Sequence, residues 1–495
     1  MTSILQIYVF IVFSSIIISF SASIVGIECK FRRLYAFCLV KLSRLIFPGN
    51  RSPLADEALE ALIRGISNNT PSLDSTEIPS LSNLTPQTNS KHPKSRRTRH
   101  LSSVSNSFCE NGSASFSEME NSKSDGKIPR KNDYLALFAK DILHELNNGI
   151  SAIIDDNVTK RFVAEDLANW NLLKRTGDLN GKSGENNHKI LVFYAIGFVF
   201  RYLFLVPIRL FLTVLALFSM FVCANLLKFG IIPSDRVMKT NLNLFISRLI
   251  NRALGTIINF HNPQNQPKNG GICVANHTTV LDIFVMMSDR TFSIIGQQHP
   301  GLIGWFQNTI NMFMNNIWFD RGDENDRSAV SQAMIDHVNN ETGLDPILIF
   351  PEGTCINNTS VMMFKKGSFE IDTVFHPVAI KYNPYFGDAF WNSSKYSMPH
   401  YLIQIFSSWC IVADVYYLPP VRKGAGESSL EFANRTKKDI ALCGGLLDLA
   451  WDGGLKRSMV KSSDKEKGKK RFSQKARLRK IVSENVVDDE KETDY

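Results

Sequence analysis

The 495-residue chain lacks the short patterns that mark several common classes of enzyme and metal protein. Its eight cysteines are scattered, and no two of them form a C-x-x-C pair. This spacing argues against a zinc site or a disulfide framework and is typical of a protein from a reducing compartment. The G-x-S-x-G motif of serine hydrolases is missing, and Gly177–Ser183 is one residue short of a phosphate-binding P-loop.

The composition excludes a wholly disordered chain, a collagen-like chain and a many-span transporter, because hydrophobic residues make up 44% and charged residues 21%. The formal net charge is +9. Between Lys456 and Lys480, twelve basic residues stand against two acidic ones, so the positive balance belongs mostly to this segment. The net charge therefore gives no support to a nucleic-acid-binding domain. We predict a basic, disordered tail over 458–495. A membrane-surface or localisation patch is the alternative.

The N-terminus carries the first of two long apolar segments. Ile4–Ile27 holds 24 residues without a charge. A helix of that length spans about 36 Å, enough to cross a hydrocarbon core of about 30 Å. Because no basic stretch precedes it, we predict a retained membrane anchor rather than a cleaved signal peptide. The basic juxtamembrane remainder of 1–50 should then face the cytosol.

The second apolar segment, Ile190–Leu227, carries only two charges, Arg201 and Arg209. Its 38 residues would make a straight helix of about 57 Å, nearly twice the core thickness. Pro207 lies between the two arginines and would kink or break a helix there. We therefore predict a membrane-embedded helical hairpin or re-entrant segment over 190–230. One strongly tilted span with snorkelling arginines is the alternative.

These two arrangements place the C-terminal half of the chain on opposite sides of the membrane. A hairpin keeps it in the cytosol, whereas a single span would put it in the lumen. The glycosylation sequon Asn276-His277-Thr278 lies within a motif described below, where a glycan would obstruct chemistry. This favours the cytosolic side.

Two regions separate the apolar segments. Residues 51–131 are rich in Ser, Asn and Thr, and we predict a disordered linker because they cannot bury enough apolar surface. Residues 132–189 recover helical spacing and predict a small helical region.

Residues 231–457 remain for a folded domain. Four short apolar runs predict strands: Gly271–Ala275, Phe292–Ile295, Pro346–Phe350 and Val374–Ile380. Three segments between them predict helices: Val280–Ser288, Leu302–Met314 and Asp326–Val338. This alternation predicts an α/β layered domain around a largely parallel sheet.

The first candidate site follows the strand that ends at Ala275. Polar groups gather at the carboxyl ends of strands in α/β sheets, which is where His277 falls. His277 and Asp282 lie five positions apart, about 140° round a continuous helix, so they can meet only if the helix starts at about Thr279. Asp282 would then fix one ring nitrogen, and the other could take a proton from a hydroxyl. Thr279-x-x-Asp282 is also a capping-box pattern, and a purely structural role remains the alternative.

Two further segments carry polar residues near predicted strand ends. Arg321 follows a short apolar run, and an arginine there can bind a phosphate through two hydrogen bonds. Phe350-Pro-Glu-Gly-Thr directly ends the third strand. Glu352 would repel a phosphate, so we expect it to hold Arg321 or to accept a hydrogen bond from a substrate hydroxyl. Gly353 and Thr354 offer backbone and hydroxyl donors.

The combination and order of these motifs resemble the lysophospholipid/glycerophosphate acyltransferase superfamily. They are His-x-x-x-x-Asp, Phe-x-Arg, Phe-Pro-Glu-Gly-Thr, and an apolar strand containing Pro377-Val-Ala-Ile. Three stretches, Phe350–Glu370, Ala389–Tyr396 and Trp451–Arg457, are similar to the endoplasmic-reticulum glycerol-3-phosphate acyltransferases of the 3/4 subfamily. The resemblance covers roughly 190 to 457. Asp320 stands where the subfamily has Glu.

The resemblance implies a glycerophosphate-acyltransferase-like catalytic domain and roles for its residues. His277 and Asp282 occupy the catalytic positions. The substrate-binding positions are Arg321, Glu352, Gly353, Thr354 and Pro377. The implied reaction transfers a long-chain acyl group from acyl-CoA to the sn-1 hydroxyl of glycerol 3-phosphate, without an acyl-enzyme.

The resemblance also implies the setting of that reaction. Acyl-CoA is a co-substrate, and neither a cofactor nor a metal is expected. The expected partner is the lipid bilayer, the expected location is the endoplasmic reticulum membrane, and the catalytic domain should be cytosolic. Two other functions stay open: acylation of 1-acylglycerol 3-phosphate, and a catalytically dead, membrane-anchored interaction protein.

Overall fold

The computed structural model describes residues 2–27, 30–46, 146, 149, 158–164, 187–268, 270–298, 301–319, 325–340 and 344–457. The predicted linker over 51–131 and the predicted tail over 458–495 lie outside these residues, as does most of 132–189. The helices and strands reported below belong to one compact unit, formed by Met1–Asn69 and Ile153–Arg457.

A seven-stranded sheet forms the centre of this unit, with the strand order β1-β8-β7-β2-β5-β3-β4. Neighbouring strands are parallel except β7 and β8, which are antiparallel. Two short strands, β6 and β9, form a separate parallel pair. The bounds are β1 Thr256–His261, β2 Ile272–Ala275, β3 Ser293–Gln297, β4 Ile317–Phe319, β5 Ile347–Ile349, β6 Ser360–Val361, β7 Phe375–Asn383, β8 Ile411–Tyr417 and β9 Leu447–Asp448.

Helices cover both faces of the sheet. The α-helices are α1 Thr2–Val25, α2 Lys30–Ile46, α3 Asn187–Phe200, α4 Val206–Lys228, α5 Arg236–Ala253, α6 Leu281–Met287, α7 Gly301–Ile310, α8 Asn325–Val338, α9 Met398–Ser407 and α10 Ser429–Cys443. A π-helical turn, Arg201–Leu205, joins α3 to α4. Short 3-10 turns lie at Thr159–Phe162, Pro263–Asn265, Lys366–Glu370 and Gly453–Arg457.

The alternation of side chains along β2 divides the core into two layers. Cys273 and Ala275 belong to the cluster that includes residues of α4, α5, α6 and α9. Ile272 and Val274 point the other way, into the cluster that includes residues of α8 and α10. Successive strand residues face opposite sides, so this pattern is that of a sheet buried on both faces. The predicted α/β layered fold is confirmed.

The apolar segment around Pro207 does not reverse direction. Leu205 and Val206 keep helical backbone angles, so helix continues from α3 through the π turn into α4. Pro207 has no N–H for the Leu203 carbonyl four residues earlier, and the hydroxyl of Tyr8 in α1 donates to that carbonyl at 2.9 Å. Over 187–228 the predicted hairpin is therefore wrong, because the π turn accommodates the proline without a reversal.

The two arginines in this segment do not snorkel to solvent. Arg209 is 5% exposed, and its guanidinium donates to the carbonyls of Phe406, Ser408 and Trp409 at 2.6–2.8 Å. Arg201 donates to the Ser407 carbonyl at 2.8 Å. These carbonyls lie at the C-terminal end of α9, where a cation satisfies unpaired acceptors. Both arginines therefore dock this apolar helical segment onto the C-terminal end of α9.

The basic segment after α1 also belongs to the folded unit. In α2, Arg32 donates to the Thr256 carbonyl at 2.6 Å and Arg33 to the Ile258 carbonyl at 3.1 Å. Both carbonyls belong to the edge strand β1, so α2 covers the edge of the sheet. Two helices, Gln6–Val25 and Val192–Lys228, are long and apolar enough to cross a membrane.

Candidate active site

His277 and Asp282 meet at the carboxyl end of β2. The chain leaves β2 at Ala275, makes a turn, and enters α6 at Leu281, which places Asp282 in the first helical turn. The His277 Nδ1 lies 2.9 Å from the Asp282 Oδ2. Asp282 is fully buried, whereas the His277 side chain keeps 15% of its surface exposed. The predicted contact is present, although the helix begins two residues later than expected.

The Asp282 carboxylate accepts hydrogen bonds from several directions. Its Oδ2 also accepts from the backbone N–H groups of Thr278 and Thr279 at 2.8 and 2.9 Å. Its Oδ1 accepts from the Tyr382 hydroxyl at 2.5 Å. The predicted capping box is only half formed, because Val280 is the N-cap and the Thr279 hydroxyl contacts Tyr401. Asp282 therefore orients the imidazole rather than only capping α6.

The loop after β5 surrounds the imidazole. The ring of Phe350 stacks on that of His277, with centroids 4.4 Å apart. The Cys355 Sγ lies 3.4 Å from the His277 Nε2, the nitrogen opposite Asp282. The N–H of Ile356 donates to the His277 carbonyl at 2.8 Å. A substrate hydroxyl that approaches Nε2 must therefore enter beside the Cys355 thiol.

Glu352 lies in this loop and binds the backbone of two neighbouring segments. Its two carboxyl oxygens accept from the backbone N–H groups of His277 and Met362, each at 2.8 Å. The residue is 1% exposed. Glu352 therefore anchors the backbone of the histidine, whereas its predicted contact with Arg321 lies outside the described residues and its predicted hydrogen bond to a substrate hydroxyl stays a prediction. Burial raises the pKa of Glu352 to about 8, although the two N–H donors lower it.

The remaining predicted substrate residues are spread around this loop. Gly353 has a left-handed backbone (φ +66°), and the ammonium of Lys365 lies across it. Thr354 is half-buried against Gly453. Pro377 is buried in β7 opposite Val274 and offers no polar side-chain group. Its predicted binding role finds no support in this position.

Arg321 and Asp320 lie outside the described residues. Within the part of the chain that is described, no group of three or more His, Cys, Asp or Glu side chains is placed to hold a metal ion.

The surroundings of the His277–Asp282 pair, called the dyad below, favour a charged imidazole. Burial alone lowers the pKa of His277, but the adjacent Cys355 sulfur and the hydrogen-bonded Asp282 carboxylate outweigh it. The net pKa of His277 lies well above its usual value. The group can therefore hold a proton that it has taken from a hydroxyl.

Sequence reasoning did not predict two long-range contacts that hold the active-site loop. Asn357 donates to the carbonyls of Lys160 and Val163 at 2.7 and 3.0 Å, which ties the loop to the 3-10 turn Thr159–Phe162. Lys456 is 4% exposed and donates to the Cys355 carbonyl at 3.1 Å. These contacts join positions about a hundred or more residues apart, and no local pattern in the sequence indicates them.

Comparisons with known proteins agree with this geometry. The Acyltransferase family model matches residues 257–381. Glycerol-3-phosphate acyltransferase 3-like from Danio rerio is 47% identical over 348 residues, covering 70% of this chain and 77% of the relative. Glycerol-3-phosphate acyltransferase 4 from Homo sapiens is 47% identical over 336 residues, covering 67% and 72% respectively.

Among solved structures, the crystal structure of the 1-acyl-sn-glycerophosphate (LPA) acyltransferase PlsC from Thermotoga maritima aligns with 48% of this chain and 96% of that chain. The sequence identity is 17% and the TM-score is 0.35.

Proposed function

The chain belongs to the glycerol-3-phosphate acyltransferase 3/4 family, and we propose that it transfers a long-chain acyl group from acyl-CoA to the sn-1 hydroxyl of glycerol 3-phosphate. The product is lysophosphatidic acid, the first intermediate of phospholipid and triacylglycerol synthesis. The observation that carries the proposal is the buried Asp282 carboxylate bonded to a partly exposed imidazole at a strand end. This arrangement suits general-base activation of a hydroxyl.

In the proposed mechanism, His277 acts as the base through Nε2. It takes the proton of the acceptor hydroxyl while that oxygen attacks the thioester carbonyl. Asp282 stabilises the imidazolium that forms, since its Oδ2 accepts from Nδ1. When the tetrahedral intermediate collapses, the C–S bond breaks and the imidazolium returns its proton to the leaving CoA thiolate. Each step uses residues already in contact, and neither a cofactor nor a metal is required; we expect activity to persist after chelation.

Phosphate recognition is proposed to lie on the outer side of the active-site loop. Arg321, predicted from its motif, would supply a two-pronged donor. Gly353 would let the phosphate approach the backbone closely. Lys365, exposed and lying across Gly353, adds an ammonium at the same turn. Thr354 would contribute its hydroxyl.

The enzyme is proposed to act at the endoplasmic reticulum membrane, with its catalytic domain in the cytosol. Although helix continues through 187–228, Arg201 and Arg209 bond its middle to the C-terminal end of α9, so we propose that it lies against the folded unit rather than across the bilayer. The domain then stays on the same side as the basic helix α2. Arg252 of α5 donates to the carbonyls of Ala22 and Ile27 at 3.0 and 2.7 Å, so the C-terminal end of α1 stays with the catalytic layers. The outer faces of α1 and α4 expose large apolar side chains suited to lipid, among them Phe10, Phe13, Ile17, Phe211, Val214 and Phe218.

A glycosylation assay tests this orientation. Asn276 is 2% exposed, and its side-chain amide donates to the Ile380 carbonyl and accepts from the Ile380 N–H. Because this asparagine is buried on either side of the membrane, its sequon does not report on topology. The asparagines of the sequons at Asn340 and Asn434 are exposed, and that of the sequon at Asn392 is half-buried. Insensitivity of the expressed protein to endoglycosidase is expected. A mobility shift that is lost in Asn340→Gln, Asn392→Gln or Asn434→Gln would place the domain in the lumen.

The acceptor is tested by comparing radiolabelled glycerol 3-phosphate with 1-acylglycerol 3-phosphate in membranes that contain the protein, each with long-chain acyl-CoA. Faster turnover of glycerol 3-phosphate is expected. Faster turnover of 1-acylglycerol 3-phosphate would assign the second reaction of the pathway instead. Absence of turnover with both acceptors would favour a catalytically dead interaction protein.

A further inference from the structure

Tyr382 is the second side-chain partner of the catalytic carboxylate. It lies in β7, near the middle of the sheet, and is 1% exposed. Its hydroxyl donates to the Asp282 Oδ1 at 2.5 Å, while Oδ2 faces His277. Each carboxylate oxygen therefore has its own side-chain donor. The hydroxyl fixes the rotation of the carboxylate, because turning the group out of this plane would weaken both bonds.

The backbone of β7 is held against the active-site segments at this point. The side-chain amide of Asn358 accepts from the Tyr382 N–H at 2.8 Å and donates to the Tyr382 carbonyl. Asn276, next to His277, brackets Ile380 in the same way at 2.8 and 2.9 Å. Asn276 and Asn358 thus fix the position of Tyr382 along β7 relative to the catalytic groups.

We infer that Tyr382 is a positioning residue of the acyl transfer, which sets both the orientation of Asp282 and the share of its negative charge that the imidazole receives. The inference rests on the proposed function, because it assigns Tyr382 a part in that reaction. The groups that face the dyad are Cys355 and Glu352 from the loop after β5, Tyr401 from α9 through Thr279, and Lys456 through the Cys355 carbonyl.

Removal of the hydroxyl has two separable consequences. The carboxylate loses the Tyr382 donor at Oδ1 but keeps its bonds at Oδ2, so its plane is less firmly held and the imidazole spends less time in the productive orientation. Without the hydroxyl, the Asp282 carboxylate keeps more of its negative charge and stabilises the imidazolium more strongly. A larger fraction of His277 is then protonated at a given pH. In Tyr382→Phe, we therefore expect kcat to fall about tenfold to a hundredfold. The acidic limb of the kcat/KM profile should move to higher pH.

Tyr417 provides a matched control. It lies in the neighbouring strand β8, is fully buried, and donates its hydroxyl to the Asp289 Oδ2 at 2.9 Å. Asp289 follows the C-terminal end of α6, whereas Asp282 lies in its first turn. Tyr417→Phe thus removes the same chemical group from a comparable tyrosine–aspartate pair without touching the dyad.

The experiment uses the full-length protein in membranes and measures kcat, both KM values, the pH profile and thermal unfolding for the two variants. Tyr382→Phe should lower kcat and shift the acidic limb upward with both KM values unchanged, and Tyr417→Phe should do neither. Wild-type kcat and pH profile in Tyr382→Phe, or the same changes in both variants, would overturn the inference.

A second readout does not need turnover. Diethyl pyrocarbonate reacts with unprotonated imidazole, and mass spectrometry of the His277 peptide across pH reports the unprotonated fraction. In Tyr382→Phe the midpoint should move to higher pH, and an unchanged midpoint would overturn the inference. If wild-type protein acylates no glycerol 3-phosphate, the proposed function fails as well, whereas an active wild type with an unaltered Tyr382→Phe defeats only the role of Tyr382.

Discussion

Replacement of Glu352 by glutamine separates two roles for this buried carboxyl group. Both of its oxygens accept backbone N–H groups, one from His277 and one from Met362, at 2.8 Å each. Charged or protonated, a carboxyl group presents two oxygens that can accept, whereas an amide presents one. Glu352→Gln therefore leaves one buried N–H facing an amide nitrogen, which also donates.

The size of the effect follows from this count. A buried donor without an acceptor costs about 1–3 kcal/mol, so Glu352→Gln should lower the free energy of unfolding by that amount. Glu352→Ala leaves both N–H groups without an acceptor, which should lower the free energy of unfolding by about 2–6 kcal/mol before any cavity cost. Because one of the two groups belongs to His277, kcat should also fall, and a displacement of about 1 Å can cost roughly 10²-fold.

Thermal unfolding and steady-state kinetics of the detergent-solubilised protein measure both quantities. Glu370→Gln is the control, since Glu370 is exposed and pairs with Lys366 across one helical turn. If Glu352→Gln unfolded like the wild type, kept its kcat and raised only the KM for glycerol 3-phosphate, Glu352 would contact the substrate and the positioning role would be refuted.

Four other outcomes follow from the site and its support. Asp282→Asn should lower kcat by about 10²–10⁴-fold and move the acidic limb of kcat/KM to lower pH, because the carboxylate raises the pKa of His277; an unchanged limb in a pH-rate series would contradict this. Glu352, whose pKa is raised to about 8 from an unfolded value near 4.5, should make the free energy of unfolding fall as pH rises between these values, and Glu352→Gln should flatten that slope in thermal melts. Arg209→Met should lower the free energy of unfolding of the catalytic domain by several kcal/mol, since it removes the donors that satisfy the carbonyls at the end of α9. Unfolding at the wild-type temperature in this variant would show that the contact of α4 with α9 does not stabilise the domain. Lys365→Gln should raise the KM for glycerol 3-phosphate while Lys366→Gln leaves it unchanged, and equal KM values in both variants would remove Lys365 from phosphate binding.

Part of the site could be predicted from local sequence. His277 and Asp282 are five positions apart, and a strand end followed by a helix start is enough to bring them together. The four strands that the apolar runs predicted, including the one that precedes His277, are all present. Five other strands were missed: β1, β4 and β8 of the seven-stranded sheet, and the separate pair β6 and β9. β1 carries Asn259 and His261, whose polarity is accommodated by hydrogen bonds to Asp414 in β8.

Composition indicated an apolar helical segment over Ile190–Leu227, but the hairpin predicted there is absent, and its packing partners could not be predicted. Pro207 indicated a break because a proline normally ends a helix. The π turn and the Tyr8 hydroxyl satisfy the backbone instead, and Tyr8 lies about two hundred positions away.

By itself, the amino-acid sequence determined four strands of the sheet and the contact between His277 and Asp282, since both depend on neighbours within a few residues. Tertiary structure alone decided that Glu352 holds the histidine backbone, that Tyr382 completes the carboxylate, and that Arg209 caps α9. In each case one partner is a backbone group or a side chain 75 or more positions away. Backbone amides and carbonyls are the same in every residue, so no residue type marks which of them a distant side chain will bind.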